Sequence, residues 1–170
     1  MNNDKKIVLV TDSDFPSGSA SAKLLRLLSY GLSENGWNVS VLLQKGKLNC
    51  NIEQEEIEGC NLRNINYHYF AWKYRPSNIM LKFFDNIICF FGVIFKLIQL
   101  KFTNKVDVVL VYNHFGIQNL APLLTSKLLR IPTATYVADW LTKDISFPKP
   151  SQIIKYWNFE ARMRYINFCY

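Results

Sequence analysis

The chain has 170 residues, of which 49% are hydrophobic and 19% are charged, so it can bury the core of one domain and is not a disordered chain. Its net charge of +7 suits an anionic membrane surface or a phosphorylated substrate. Nucleic acid is the least favoured partner, because no run of five basic residues occurs. The four cysteines show no CxxC spacing, which argues against a zinc site and a disulfide framework.

The first forty residues predict a strand, a helix and a second strand. The short β-branched run Ile7–Val10 is typical of a buried parallel strand, and a polar loop follows it. Small residues from Gly18 open a helix whose leucines recur at helical spacing, and Gly36 is a good stop for that helix. The next strand spans 37–43, which completes a βαβ unit.

The rest of the chain continues to alternate strands with helices. Residues 44–60 predict a loop or a hairpin. Further strands are expected at 62–70, 107–112 and 133–138, and helices at 78–102, 117–129 and 151–168. This order predicts an α/β fold, a single Rossmann-like three-layer α/β/α domain with a mostly parallel sheet. Ligands of such sheets bind beyond the carboxyl ends of the strands, which directs attention to residues 11–22, 113–116 and 139–144.

The loop after the first strand contains Ser17, Gly18 and Ser19. Gly18 permits close approach of the backbone to a ligand, and the helix start beyond it offers unpaired N–H groups to a phosphate. A tight turn with a serine N-cap explains the same residues equally well. The loop is neither a GxGxxG nor a Walker sequence, which disfavours a small nucleotide-binding enzyme.

Two further candidate segments follow predicted strands. Asn113 and His114 come directly after the fourth strand, where His114 is either a site residue or a capping histidine. Asp139 and Trp140 follow the fifth strand. Asp139 could accept a proton or a hydrogen bond from a substrate hydroxyl, and the alternative is a turn cap.

The long helix at 78–102 is unusually apolar. Its uncharged run is about half of the roughly 20 residues that a bilayer span needs, which argues against a transmembrane helix. Two compatible interpretations remain, a core helix packed on the sheet and a helix whose outer face enters a membrane surface. In the second, anionic lipids would meet Lys73, Arg75, Lys82, Lys96, Lys101 and Lys105.

These segments, in this order, resemble the N-terminal domain of family 4 glycosyltransferases, which have the GT-B architecture. The resemblance rests on residues 7–43 with the turn Gly36-Trp37-Asn38-Val39, on VDVVLVYNHFG at 106–116 and on IPTATYVADW at 131–140. The helix at 157–162, similar to the one bearing a family glutamate, and the long apolar helix add to it. The Asp139-Trp140-Leu141 trio looks like a family Asp-Leu-Trp segment with two letters exchanged.

The resemblance implies a retaining transfer of sugar from a nucleotide-sugar donor to a glycan or lipid-linked acceptor, in polysaccharide or cell-surface glycan biosynthesis. Asp139 would be catalytic and hold an acceptor hydroxyl. Ser17, Gly18 and Ser19 would touch the donor phosphate or the acceptor, and Asn113, His114 and Trp140 would line the cleft. No metal and no cofactor are expected, since the nucleotide sugar is a co-substrate.

The sequence departs from the family pattern at its end. The whole chain, 1–170, is expected to be the N-terminal domain, with the C-terminal donor-binding domain absent, so the isolated chain should be inactive. The missing half is then the first partner, and self-association through the exposed cleft face is a further expectation. The expected location is cytoplasmic, with peripheral contact to the inner face of a membrane through 73–105. The alternative function is a non-catalytic Rossmann-like interaction domain that needs a partner chain.

Overall fold

A computed structural model of the protein describes residues 5–16, 20–46, 65–70, 72–112 and 119–136. Within these residues five strands form one sheet: β1 (Lys5–Thr11), β2 (Trp37–Leu43), β3 (Ile65–Tyr69), β4 (Val108–Tyr112) and β5 (Thr133–Tyr136). Their order across the sheet is β3-β2-β1-β4-β5, and all neighbouring pairs are parallel. The predicted Rossmann-like α/β fold is therefore confirmed.

In the described ranges, three helices cover the two faces of the sheet: α1 (Ala20–Glu34), α2 (Ile79–Phe102) and α3 (Leu120–Leu128). Alternate residues of each strand point to opposite faces, so β1 supplies Ile7 and Leu9 to one core and Val8 and Val10 to the other. The first core contains Leu25 of α1. The second contains residues of α2 and α3, namely Val93, Leu97, Leu100, Ala121 and Leu123. The domain consequently has three layers, with apolar contacts on both sides of the sheet.

The helix ends agree closely with the sequence signals. Asn78 caps α2, because its side-chain oxygen accepts a hydrogen bond from the Met80 amide at 2.9 Å. Gly36 follows α1 with a φ of 80°, a conformation that glycine adopts without strain. Asn104 and Arg130 occupy the same left-handed region after α2 and α3. The amides of Lys105 and Ile131 then bond to the carbonyls of Leu100 and Ser126, which satisfies groups that the helices leave unpaired.

The element boundaries match the predictions within a few residues wherever the structure describes them. The strand predicted at 62–70 is observed at 65–69, and the helix predicted at 117–129 is observed at 120–128. The predicted loop or hairpin at 44–60 is described only as far as residue 46, and the predicted last helix at 151–168 lies outside the described residues.

The amino ends of β1 and β4 are joined by polar contacts. The Lys6 amide donates to the Asp107 carboxylate at 2.7 Å, and the Asp107 amide donates to the Lys6 carbonyl at 2.8 Å. The Lys6 ammonium also donates to the Asn104 carbonyl. These bonds fix the register of two strands that lie far apart in sequence.

Helix α2 has one face in the core and one face in water. Val93 and Leu97 are fully buried against the sheet, so the prediction of a core helix is confirmed for that face. The opposite side carries exposed apolar side chains along the length of the helix. In the part of the chain that the structure describes, α2 is the one helix long and apolar enough to cross a membrane, judged by length and composition alone.

Candidate functional site

The carboxyl ends of all five strands lie in one row across the sheet. Strand register pairs Tyr69 with Leu43, Leu43 with Thr11, Thr11 with Tyr112, and Tyr112 with Tyr136. From β1 the chain adds β2 and β3 on one side of the sheet, and then β4 and β5 on the other side. The direction in which strands are added therefore reverses between β1 and β4. A ligand crevice of an open α/β sheet forms at such a point.

The loop after β1 is held toward β2. The Lys45 ammonium donates to the Asp12 carboxylate at 2.5 Å, in an ion pair that is about four-fifths buried. Beside it, the Gln44 amide bonds to the Thr11 carbonyl, and the Ser13 amide bonds to the Thr11 hydroxyl. These contacts satisfy the first polar groups of the loop and hold its start against the end of β2.

Phe15 fixes the middle of the same loop. Its ring is fully buried and meets the ring of Tyr67 edge to face, with centroids 5.6 Å apart. Its carbonyl accepts a hydrogen bond from the Tyr69 hydroxyl at 2.6 Å. The loop is therefore attached to β3 by a side chain and by its backbone, directly ahead of residues 17–19.

The segment at residues 72–76 lies against the end of β2. A Cβ added to Gly46 would come within 2.4 Å of the Trp72 carbonyl oxygen, so the two backbones touch and no larger residue fits at position 46. Asp85 of α2 lies beneath this contact and is 2% exposed. It accepts a hydrogen bond from the Trp72 amide, and this bond fixes the segment above the helix.

Burial governs the chemistry of the two buried polar groups of α2 near this segment. Burial raises the pKa of Asp85, and the Trp72 amide and the charges of Arg75 and Lys45 offset only part of the rise. Burial, together with the Asp85 charge, raises the pKa of the Cys89 thiol to about 12. Cys89 is consequently a protonated thiol at neutral pH and not a nucleophile.

On the other side of the β1–β4 junction, β4 and β5 each end in a tyrosine. The rings of Tyr112 and Tyr136 are stacked, with centroids 5.4 Å apart and planes 7° from parallel. Tyr112 is fully buried, whereas Tyr136, the last residue of β5, is 39% exposed. A sugar ring or a nucleobase could stack there.

All seven residues predicted from the sequence to form the site lie outside the described residues: Ser17, Gly18, Ser19, Asn113, His114, Asp139 and Trp140. Their assignment stays a prediction. The described strand ends that lead into them are nevertheless neighbours, since Thr11 and Tyr136 both pair with Tyr112. Among the described residues, no group of three or more His, Cys, Asp or Glu side chains could hold a metal ion.

The sequence did not predict the residues that hold the loops at the carboxyl ends of the strands. Phe15 was assigned to a polar loop, yet it is fully buried. Two signals in the sequence could have marked the contact at Trp72: Gly46, three residues after a predicted strand, and Asp85, the lone acid in an apolar helix. The Asp12–Lys45 ion pair left no local signal, because it depends on the register of β1 against β2.

No family model matches the chain, and no sequence of a curated protein matches it either. Among solved structures, UGT2 of Phytolacca americana, complexed with UDP-2fluoro-glucose and pterostilbene, is similar with a TM-score of 0.55. The chain has a glycosyltransferase-like fold. The identity is 11%, so the likeness concerns the fold alone. It covers 81% of this chain and 31% of the plant protein, so this chain spans about a third of that protein's length.

Proposed function

We propose that the chain is the acceptor-side domain of a retaining glycosyltransferase, which transfers a sugar from a nucleotide-sugar donor to a glycan or lipid-linked acceptor. The biological setting we infer is the synthesis of polysaccharide or cell-surface glycan. One observation carries the proposal: the carboxyl ends of β1, β4 and β5 are neighbours, and each leads into a segment that the family resemblance marks as functional. The glycosyltransferase-like fold supports it.

In this proposal Asp139 is the catalytic residue and accepts a hydrogen bond from the acceptor hydroxyl that attacks the sugar. Ser17, Gly18 and Ser19 lie next to the donor phosphate or the acceptor. Asn113, His114 and Trp140 line the cleft. The buried Phe15 and the Asp12–Lys45 ion pair support this role indirectly, since they hold the start of the first loop in one position. The exposed ring of Tyr136 provides a surface against which a sugar could stack.

The donor half of the site would come from a second Rossmann-like domain, either further along the same polypeptide or on a partner chain. Activity is therefore to be measured on the native gene product and not on residues 1–170 alone. Membranes from the source organism provide the acceptor, and radiolabelled UDP-glucose, UDP-galactose and GDP-mannose are offered as donors in separate reactions.

The decisive variant is D139N, with D144N as its matched control in the same segment. If Asp139 assists proton transfer from the acceptor, D139N lowers kcat by about 100-fold or more, while D144N stays near the wild-type rate. Equal activity of the two variants would remove Asp139 from the catalytic role. A native gene product that transfers no sugar from any donor would instead favour the non-catalytic interaction domain.

A further inference from the structure

The outward side of α2 carries a continuous apolar stripe. We name Met80, Phe84, Ile88, Phe91, Phe95 and Phe102 the outer face of α2, because at 3.6 residues per turn they fall within an arc of about 100°. All six are exposed, and the four phenylalanines are between 51% and 80% exposed. The buried residues Val93, Leu97 and Leu100 project from the opposite side.

This face is larger than chance exposure explains. With roughly 200 Å² for a whole aromatic side chain, its four phenylalanines leave about 500 Å² of apolar surface in water. Met80 and Ile88 raise the total above the ~300–600 Å² of the largest apolar patch on a typical monomer. Unlike scattered surface leucines, a contiguous patch of this size indicates a binding surface.

The charges around the outer face have a single sign. Within the described residues 72–105 the only acid is Asp85, which is buried under Trp72 and directed away from water. None of the bases is buried: Lys73, Arg75, Lys82, Lys96, Lys101 and Lys105. Lys73, Arg75, Lys101 and Lys105 lie near the two ends of the stripe, where they complement an anionic lipid surface, whereas at helical spacing Lys82 and Lys96 project from the side of α2 opposite to the outer face. A second copy docked on the same face would instead bring like charges together.

The buried side of α2 excludes a spanning orientation. Val93, Leu97 and Leu100 pack against Val8 and Val10 of the central strand, so α2 could enter a bilayer as a span only by leaving the core. A helix of 24 residues that keeps these contacts can only lie along the membrane plane. Such interfacial helices bury their apolar face about 5–10 Å deep, at the boundary between headgroups and acyl chains.

We propose that the outer face of α2 lies in the surface of an anionic membrane. The amino end of α2 is at the carboxyl edge of the sheet, where Trp72 and Tyr74 are 43% and 40% exposed. Both are residue types that concentrate at membrane interfaces. The candidate site would then open beside the lipid headgroups and receive a lipid-linked acceptor directly; this last consequence rests on the proposed function.

The test is co-sedimentation of the chain with vesicles, which needs no sugar transfer. We expect binding to phosphatidylcholine vesicles that contain phosphatidylglycerol. Binding should weaken toward pure phosphatidylcholine and at high salt, where charges are screened over a few ångströms. The double variant F91S/F95S should lose about a hundredfold in affinity, since each buried phenylalanine contributes a factor of about ten.

The control is L27S, which removes an exposed apolar side chain from α1 on the other face of the sheet. L27S should bind vesicles as the wild type does. D139N should also bind them as the wild type does, so the vesicle result does not depend on whether Asp139 is catalytic. The proposal is overturned if the wild type ignores anionic vesicles, or if F91S/F95S binds as the wild type does while circular dichroism shows both folded. It is also overturned if F91S/F95S merely converts a stable dimer into a monomer.

Discussion

The hydrogen bond from Tyr69 to the loop after β1 should be measurable as stability. In Y69F the ring keeps its position, but the Phe15 carbonyl loses the hydroxyl that donates to it at 2.6 Å. Both residues are buried, Phe15 completely and Tyr69 to within 6%, so water cannot readily replace the donor. An unsatisfied buried acceptor costs about 1–3 kcal/mol, and we expect Y69F to lower the free energy of unfolding by about 1–2 kcal/mol.

Urea unfolding followed by circular dichroism gives the measurement, and the midpoint should fall without a change in slope. In a chain of this size the same loss corresponds to a melting temperature roughly 2–8 °C lower. The control is Y74F, because Tyr74 is 40% exposed and its hydroxyl can bond to water, so its change should stay within about 0.5 kcal/mol. Equal stabilities of Y69F and Y74F would refute the idea that this bond holds the loop.

Four further predictions follow from single positions. G46A should destabilise the chain, because its Cβ would collide with the Trp72 carbonyl. G31A in α1, where the new Cβ meets nothing within 4 Å, should instead stabilise the chain by up to about 1 kcal/mol. Melting curves of the two variants and the wild type give both changes in stability. R130G should raise stability by about 1 kcal/mol, since Arg130 has a φ of 52°, and an unchanged urea midpoint would contradict this. The pKa of Asp85 is raised in the folded state, so between its unfolded and folded pKa values the folded chain binds more protons than the unfolded chain. The wild type therefore loses stability as pH rises through this window, whereas D85N has no carboxyl group to titrate there. In parallel urea titrations, the free energy of unfolding of D85N minus that of the wild type should increase with pH across the window. In a variant with Cys89 as its sole cysteine, the thiol, with a pKa of about 12, should react with a maleimide far more slowly when folded than in urea, and equal rates would disprove its burial.

The alternation of elements could be predicted from the sequence because each signal is local. Ile7–Val10 and residues 108–112 are β-branched runs too short for helices, and both form buried parallel strands. Gly36 and Asn78 end and begin helices through their own backbone and side-chain chemistry, so each boundary could be assigned within a residue or two. The strand order required the further knowledge that β4 pairs with β1 and not with β3.

The support of the candidate site could not be predicted, because it arises from contacts between distant residues. Phe15 has the polar neighbours of a surface loop, and only the position of Tyr67 across the sheet explains its burial. Lys45 meets Asp12 because β1 and β2 share a register, and neither residue stands out in the sequence. Helical spacing places Asp85 in line with the buried Cys89, Val93 and Leu97, but its hydrogen-bond partner, the Trp72 amide, is a tertiary contact that no local pattern indicates.

The central position of β1 has a consequence for the order in which the chain can fold during synthesis. Its first partner, β2, follows within a βαβ unit, but the bonds between Lys6 and Asp107 close a loop of 101 residues. Closing so long a loop delays folding, because the entropy is lost before the contacts form. On the ribosome α2 emerges after β1 and β2 but before β4 and α3, so its inner side can at first be covered only in part, while its outer side faces water. A nascent chain released before Val108 should therefore aggregate, whereas one that extends past Tyr112 can bury the inner side of α2.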